Sequence, residues 1–109
     1  MTDSIKVLGQ AFPVAATLTA LYTVPSVTST TVSSIVVCNQ SGTTTAFRIS
    51  VATAGAADTA SQYLYYDLPI AGNDTFIATI GITLATTDVV RVYADLGTLS
   101  FSIFGVELT

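Results

Sequence analysis

Apolar and polar residues alternate along most of this chain in short runs, and Gly, Asn, Asp, Pro or Ser separates one run from the next. That is the pattern of β-strands joined by turns. From Thr17 to Val24 the residues Leu18, Ala20, Tyr22 and Val24 alternate with Thr17, Thr19, Leu21 and Thr23, which predicts a strand with one apolar face, ended by Pro25. The stretch from Thr31 to Cys38 turns apolar on both sides in its second half, Ser34-Ile35-Val36-Val37-Cys38, as a central strand covered on both faces would. Asn39-Gln40-Ser41-Gly42 supplies turn residues. Phe47, Ile49 and Val51 then stand opposite Arg48 and Ser50 between Thr45 and Ala52, so the two segments read as an antiparallel hairpin.

The Ala-rich stretch from Val51 to Ala60 contains good helix formers, but Gly55 interrupts it and no apolar stripe at helical spacing runs through it. It reads as a loop with room for one helical turn. Gln62 to Leu68 carries Tyr63, Leu64, Tyr65 and Tyr66 in succession, so rings point to both faces of a strand that Pro69 closes. Ala71-Gly72-Asn73-Asp74 makes a turn, and Thr75 to Leu84 follows as one strand in which Gly81 marks a bulge or a sharp bend. Val89 to Ala94 is the next strand. The last begins with Leu99, Phe101 and Ile103 on one face and then switches to Phe104, Val106 and Leu108, a shift that predicts a β-bulge near Phe104-Gly105. About seven to eight strands at this spacing predict a single-domain, all-β, antiparallel sandwich, jelly-roll-like, over residues 17–109. Residues 1–16 precede it as an arm or an edge strand, with Ile5 and Val7 as candidates for contact with a neighbouring copy.

Composition turns attention to the surface. Half of the 109 residues are hydrophobic and only 9% are charged, against about 25% in an ordinary soluble domain. Charge coats a monomer's surface and keeps edge strands apart, so its shortage predicts that much of this surface is covered by other protein. The net charge is −4, with three dispersed basic residues, Lys6, Arg48 and Arg91. Clustered Lys and Arg are what neutralise a phosphate backbone, so neither nucleic acid nor an anionic membrane is expected as a partner. A single Cys38 excludes an intrachain disulfide and, in its apolar run, reads as a small buried residue made in a reducing compartment. The first residues lack a basic segment followed by an apolar one, and no apolar run approaches the ~20 residues of a membrane helix.

Catalytic chemistry lacks its residues. With no histidine, neither a Ser-His-Asp nor a Cys-His nucleophile can be assembled, and the common zinc sets fail too. Glycines are scattered at turn positions and form no phosphate loop. Asp58, Asp67, Asp74, Asp88, Asp95 and Glu107 could supply paired carboxylates, but most sit at turn edges, where a turn-forming role suffices. No enzyme activity, metal or cofactor is expected. Tyr63, Tyr65 and Tyr66 serve as core packing, as interface anchors or as a sugar platform; the lack of Trp and of nearby polar residues favours packing. Arg48 and Arg91 point outward, either to a carboxylate on a neighbouring subunit or into solvent.

The segments Leu21-Tyr22-Thr23-Val24-Pro25, Ser34 to Asn39, Ile82 to Ala94 and Phe101 to Glu107 together resemble small virion proteins of tailed bacteriophages, including cyanophages. The likeness covers most of the chain from Leu21 onward, and its motifs are structural. What it implies is a head decoration, or cement, protein: a β-rich module, often a homotrimer, made in the host cytoplasm. Such a module sits on the outer capsid surface and ties major capsid protein subunits together. A receptor- or carbohydrate-binding module of a tail or neck fibre is the alternative, with a tail or connector component behind it.

Overall fold

A computed structural model describes residues 2–109. Nine strands, β1 (Asp3–Ala11), β2 (Thr19–Thr23), β3 (Ser29–Asn39), β4 (Thr45–Ala52), β5 (Tyr63–Ile70), β6 (Thr75–Ala78), β7 (Ile82–Leu84), β8 (Val89–Ala94) and β9 (Leu99–Leu108), form two sheets. The first has the order β1-β9-β3-β6, with β7 also on β3; the second has the order β2-β8-β4-β5, and every pairing is antiparallel. β6 pairs with Ile35–Cys38 and β7 with Thr30–Val32, so the two lie end to end along one edge of β3. Counted as one interrupted strand, they reduce the topology to a nested hairpin in which first pairs with last, second with second-last, and so on inward. Rolling that hairpin so that alternate pairs fall in opposite sheets gives a jelly roll.

The core lies between the sheets. Ile35, Val37, Phe101 and Ile103 from one sheet meet Phe47, Ile49, Val90 and Val92 from the other, all fully buried. Phe47 gathers the rings of Phe76, Phe101 and Tyr65 around it at centroid distances of 5.3, 6.2 and 6.3 Å. Asn39, 1% exposed, closes one end of the barrel-like space: its Nδ2 donates to the carbonyls of Thr43 and Ala71, and its Oδ1 accepts from the Ser41 amide and the Thr98 hydroxyl. Asp88 does similar work at a turn, accepting from the amides of Ala54 and Ala85.

Several expectations are corrected. The segments around Asn39-Gln40-Ser41-Gly42 do not form a hairpin: β3 and β4 belong to opposite sheets, and the turn carries the chain across the sandwich. Pro69 does not close its strand but pairs with Ala46 inside β5, which its edge position permits. In β2, both Leu21 and Tyr22 are buried because the register with β8 shifts between Ala20 and Tyr22, so simple alternation fails there. Thr75–Leu84 is two strands, interrupted around Gly81. Buried positions in β9 alternate without a break from Leu99 to Glu107; the irregularities lie opposite it, at Val7/Gly9 in β1 and Val32/Ser34 in β3. Cys38 is half-buried, on the outer side of β3. The Ala-rich loop holds two short 3₁₀ turns, Thr53–Gly55 and Ala60–Gln62. Of the alternatives for residues 1–16, Asp3–Ala11 is an edge strand on its own chain's β9.

Candidate interaction surfaces

Unbroken alternation in β9 has a direct consequence for the surface. With Leu99, Phe101, Ile103, Gly105 and Glu107 facing inward, Phe104, Val106 and Leu108 must face outward. Register sets Val7 beside Phe104 and Ile5 beside Val106 on the same outer face, and sets Ile77 beside Val36 farther across it. Ile5 is 84% exposed and Ile77 59%. A shallow cleft of about 420 Å³ runs over Ile5, Val7, Ser33, Phe104 and Val106, with the half-exposed Lys6 at its rim. Among the described strand positions on this face, Asp3 is the sole charged residue. Ser29, Thr31, Ser34, Ser100 and Ser102 share the face, so what it lacks is charge, and its apolar residues gather in a cluster of Ile5, Val7, Phe104, Val106 and Leu108 along β1 and β9.

What fixes β1 so that Ile5 and Val7 point outward is a polar cluster on its inner side. Glu107 is nearly buried, accepting a hydrogen bond of 2.5 Å from the Tyr22 hydroxyl and pairing with Lys6 Nζ at 2.7 Å. The Tyr22 hydroxyl also lies 2.8 Å from Thr30 Oγ1. Lys6 and Tyr22 hold the Glu107 carboxyl below its usual range, while burial, then the bond to Glu107, pushes the Tyr22 phenol up to about 12. Backbone bonds between Thr2 and Thr109 extend the β1–β9 ladder. An inward-turned lysine on an edge strand also obstructs indiscriminate strand addition.

The opposite sheet presents a different chemistry. Arg48, on the outer side of β4, meets Asp67 through Nε to Oδ1 at 2.6 Å and Nη2 to Oδ2 at 3.3 Å. Its guanidinium lies over the rings of Tyr66 and Tyr93, 4.1 and 4.4 Å from their centroids, and the Asp67 hydrogen bond holds it firmly protonated. The geometry comes from a β-bulge. Between the pairs Phe47–Leu68 and Ile49–Tyr65, both Tyr66 and Asp67 stand opposite Arg48, with Asp67 at a φ of 51°. One extra residue thus aims a ring and a carboxylate at the same cation.

The predicted contact residues therefore separate. Ile5 and Val7 lie on the apolar face. Tyr63 and Arg48 lie together on the other sheet, the Tyr63 hydroxyl donating to Asp58 Oδ2 at 3.0 Å and its ring meeting Tyr66 edge to face at 5.1 Å. Tyr65 turns the other way and packs on Phe47 and Phe76. The carboxylate that Arg48 reaches is in its own chain, and Arg91 donates to the carbonyls of Ala56 and Gly55, tying down the Ala-rich loop. Missing from the predicted set were Phe104, Val106 and Ile77. Strict alternation from Leu99 onward was the signal for the first two. Comparison with protein-family models, with curated proteins and with solved structures finds no match to this chain.

Proposed function

We propose that this protein is a non-catalytic virion component, a decoration or cement protein of a tailed-phage head, acting as a homotrimer that binds the major capsid protein lattice from outside. The observation that carries this reading is the exposed apolar cluster of Ile5, Val7, Phe104, Val106 and Leu108 on the outer face of the β1-β9-β3-β6 sheet, a face whose outward strand positions hold Asp3 as the sole charge among the described residues. The phage setting rests on the sequence resemblance.

Area argues for repeated contacts. Ten residues of β9 at about 3.4 Å each, across four strands spaced about 4.8 Å, give a face on the order of 600 Å². A standard stable interface covers about 800 Å² per partner, so one such face makes a modest contact. Symmetry multiplies it: many modest contacts, each stabilising by roughly 25 cal/mol per Å² of its apolar part less association costs, resist the opening of a pressurised shell. The acidic balance of the chain suits a surface turned away from packaged DNA.

Particles lacking the protein are expected to release their DNA at a lower temperature than decorated ones. Added wild-type protein restores the higher temperature, whereas Val106→Asp, folded but with a charge set into the apolar face, does not. An unchanged release temperature without the protein, or full restoration by Val106→Asp, would contradict the assignment.

A further inference from the structure

The sheet face that carries Arg48 is shaped as a second, independent site. A cleft of about 490 Å³ opens there, lined by Arg48, Asp58, Thr59, Ala60, Tyr63 and Tyr66. Its walls come from three separate parts of the chain: β4, the loop that leads into the second 3₁₀ turn together with the first residue of that turn, and the first half of β5. Tyr63 and Tyr66 stand at 89° to each other and form an aromatic corner, and Tyr66 is 59% exposed. The corner is held in place before any ligand arrives, since Tyr63 is bonded to Asp58 and Tyr66 lies against the guanidinium that Asp67 fixes.

The charges decide what such a corner accepts. Arg48 is matched by Asp67, and Asp58 leaves one further negative charge, so phosphate, sulfate and carboxylate ligands are repelled. A quaternary ammonium would be drawn to Asp58, but the Arg48 guanidinium already takes the cation–π position on Tyr66, 4.1 Å from the ring centroid. What remains unspent suits a neutral, hydroxyl-rich ring. Among the described residues, Arg48 Nη1 and the Tyr66 hydroxyl have no protein partner, and Asp58 Oδ1 accepts no hydrogen bond. Donors, an acceptor and an apolar ring wall within one cleft match vicinal hydroxyls and the C–H face of a pyranose.

We infer that this cleft binds a neutral saccharide, with Tyr66 as the stacking wall and Arg48 and Asp58 as the hydrogen-bonding pair. The site shares no residue with the apolar face, so either assignment can fail without the other. Titrating the whole protein with maltotriose, cellotriose, mannotriose, lactose and chitotriose, alongside a hexose phosphate and choline, and following amide chemical shifts, tests it. At least one neutral sugar is expected to shift the Tyr63, Tyr66 and Arg48 signals saturably, with the charged probes silent. Tyr66→Ala weakens that binding roughly tenfold, the worth of one aromatic contact, whereas Tyr66→Phe retains the greater part of it. Five silent sugars, binding of phosphate or choline at the same residues, or unchanged affinity in Tyr66→Ala would overturn the assignment.

Discussion

Glu107 is the residue whose surroundings most affect how the protein answers to pH. Its lowered pKa means that the folded state holds the carboxylate more readily than the unfolded chain does. That contribution is complete above the ordinary carboxylate range and is lost as pH falls through that range toward the lowered folded value. Tyr22 works at the other extreme: raised from 10 to about 12, it contributes stability below pH 10 that drains away as pH climbs between those values. Urea unfolding followed across pH should therefore show both limbs. Glu107→Gln should cost about 1.5–3 kcal/mol at neutral pH, the worth of a hydrogen bond to a charged group, and should shrink the acid limb. An acid limb of unchanged depth in Glu107→Gln would refute this account. None of the cluster's pairing is visible along the chain, since Tyr22 and Glu107 are 85 positions apart. The inward position of Glu107 was legible, by continuing the alternation of Leu99, Phe101 and Ile103; the apolar residues Phe104, Val106 and Leu108 drew the prediction out of phase.

At the scale of strands, alternation located the elements and failed where the backbone departs from it. Val89–Ala94 is a strand with the predicted bounds, and two glycines inside strands have a packing role that alternation does not reveal. Gly105 lies within β9, where an added Cβ would stand 2.2 Å from the Thr31 carbonyl oxygen, and at Gly9 in β1 it would stand 2.3 Å from that of Leu21. Each permits a close backbone approach that any side chain would block. Gly81, by contrast, faces open space. Gly105→Ala is thus expected to destabilise by about 1–3 kcal/mol, with Gly81→Ala within about 0.5 kcal/mol of the wild type, as read from urea midpoints. Equal midpoints for the two variants would contradict the assigned packing. Whether a turn folds a strand back beside its predecessor or carries it to the facing sheet could not be read locally, because both use the same Asn, Ser and Gly residues. Here the decision rests on Asn39, whose hydrogen bonds reach Thr43, Ala71 and Thr98.

For the molecule as a whole, the jelly roll exposes two sheet faces of opposed character. One is nearly uncharged, with an apolar cluster along β1 and β9; the other carries Arg48 among tyrosines and carboxylates. The scarcity of charge in the composition predicts a covered surface, and the face proposed for that role emerged only from the register of β1, β3 and β6 on β9. The same limit applied to the cleft beside Arg48. Tyr63 and Tyr66 were evident in sequence, while their polar companions arrive from β4 and a loop, and the bulge at Tyr66-Asp67 that assembles them has no local signature. Covering of the apolar face by a repeating protein lattice is the central claim, and it fixes an abundance. Quantitative mass spectrometry of purified virions is predicted to find this chain at a copy number comparable to that of the major capsid protein; a few copies per particle, or none, would contradict it.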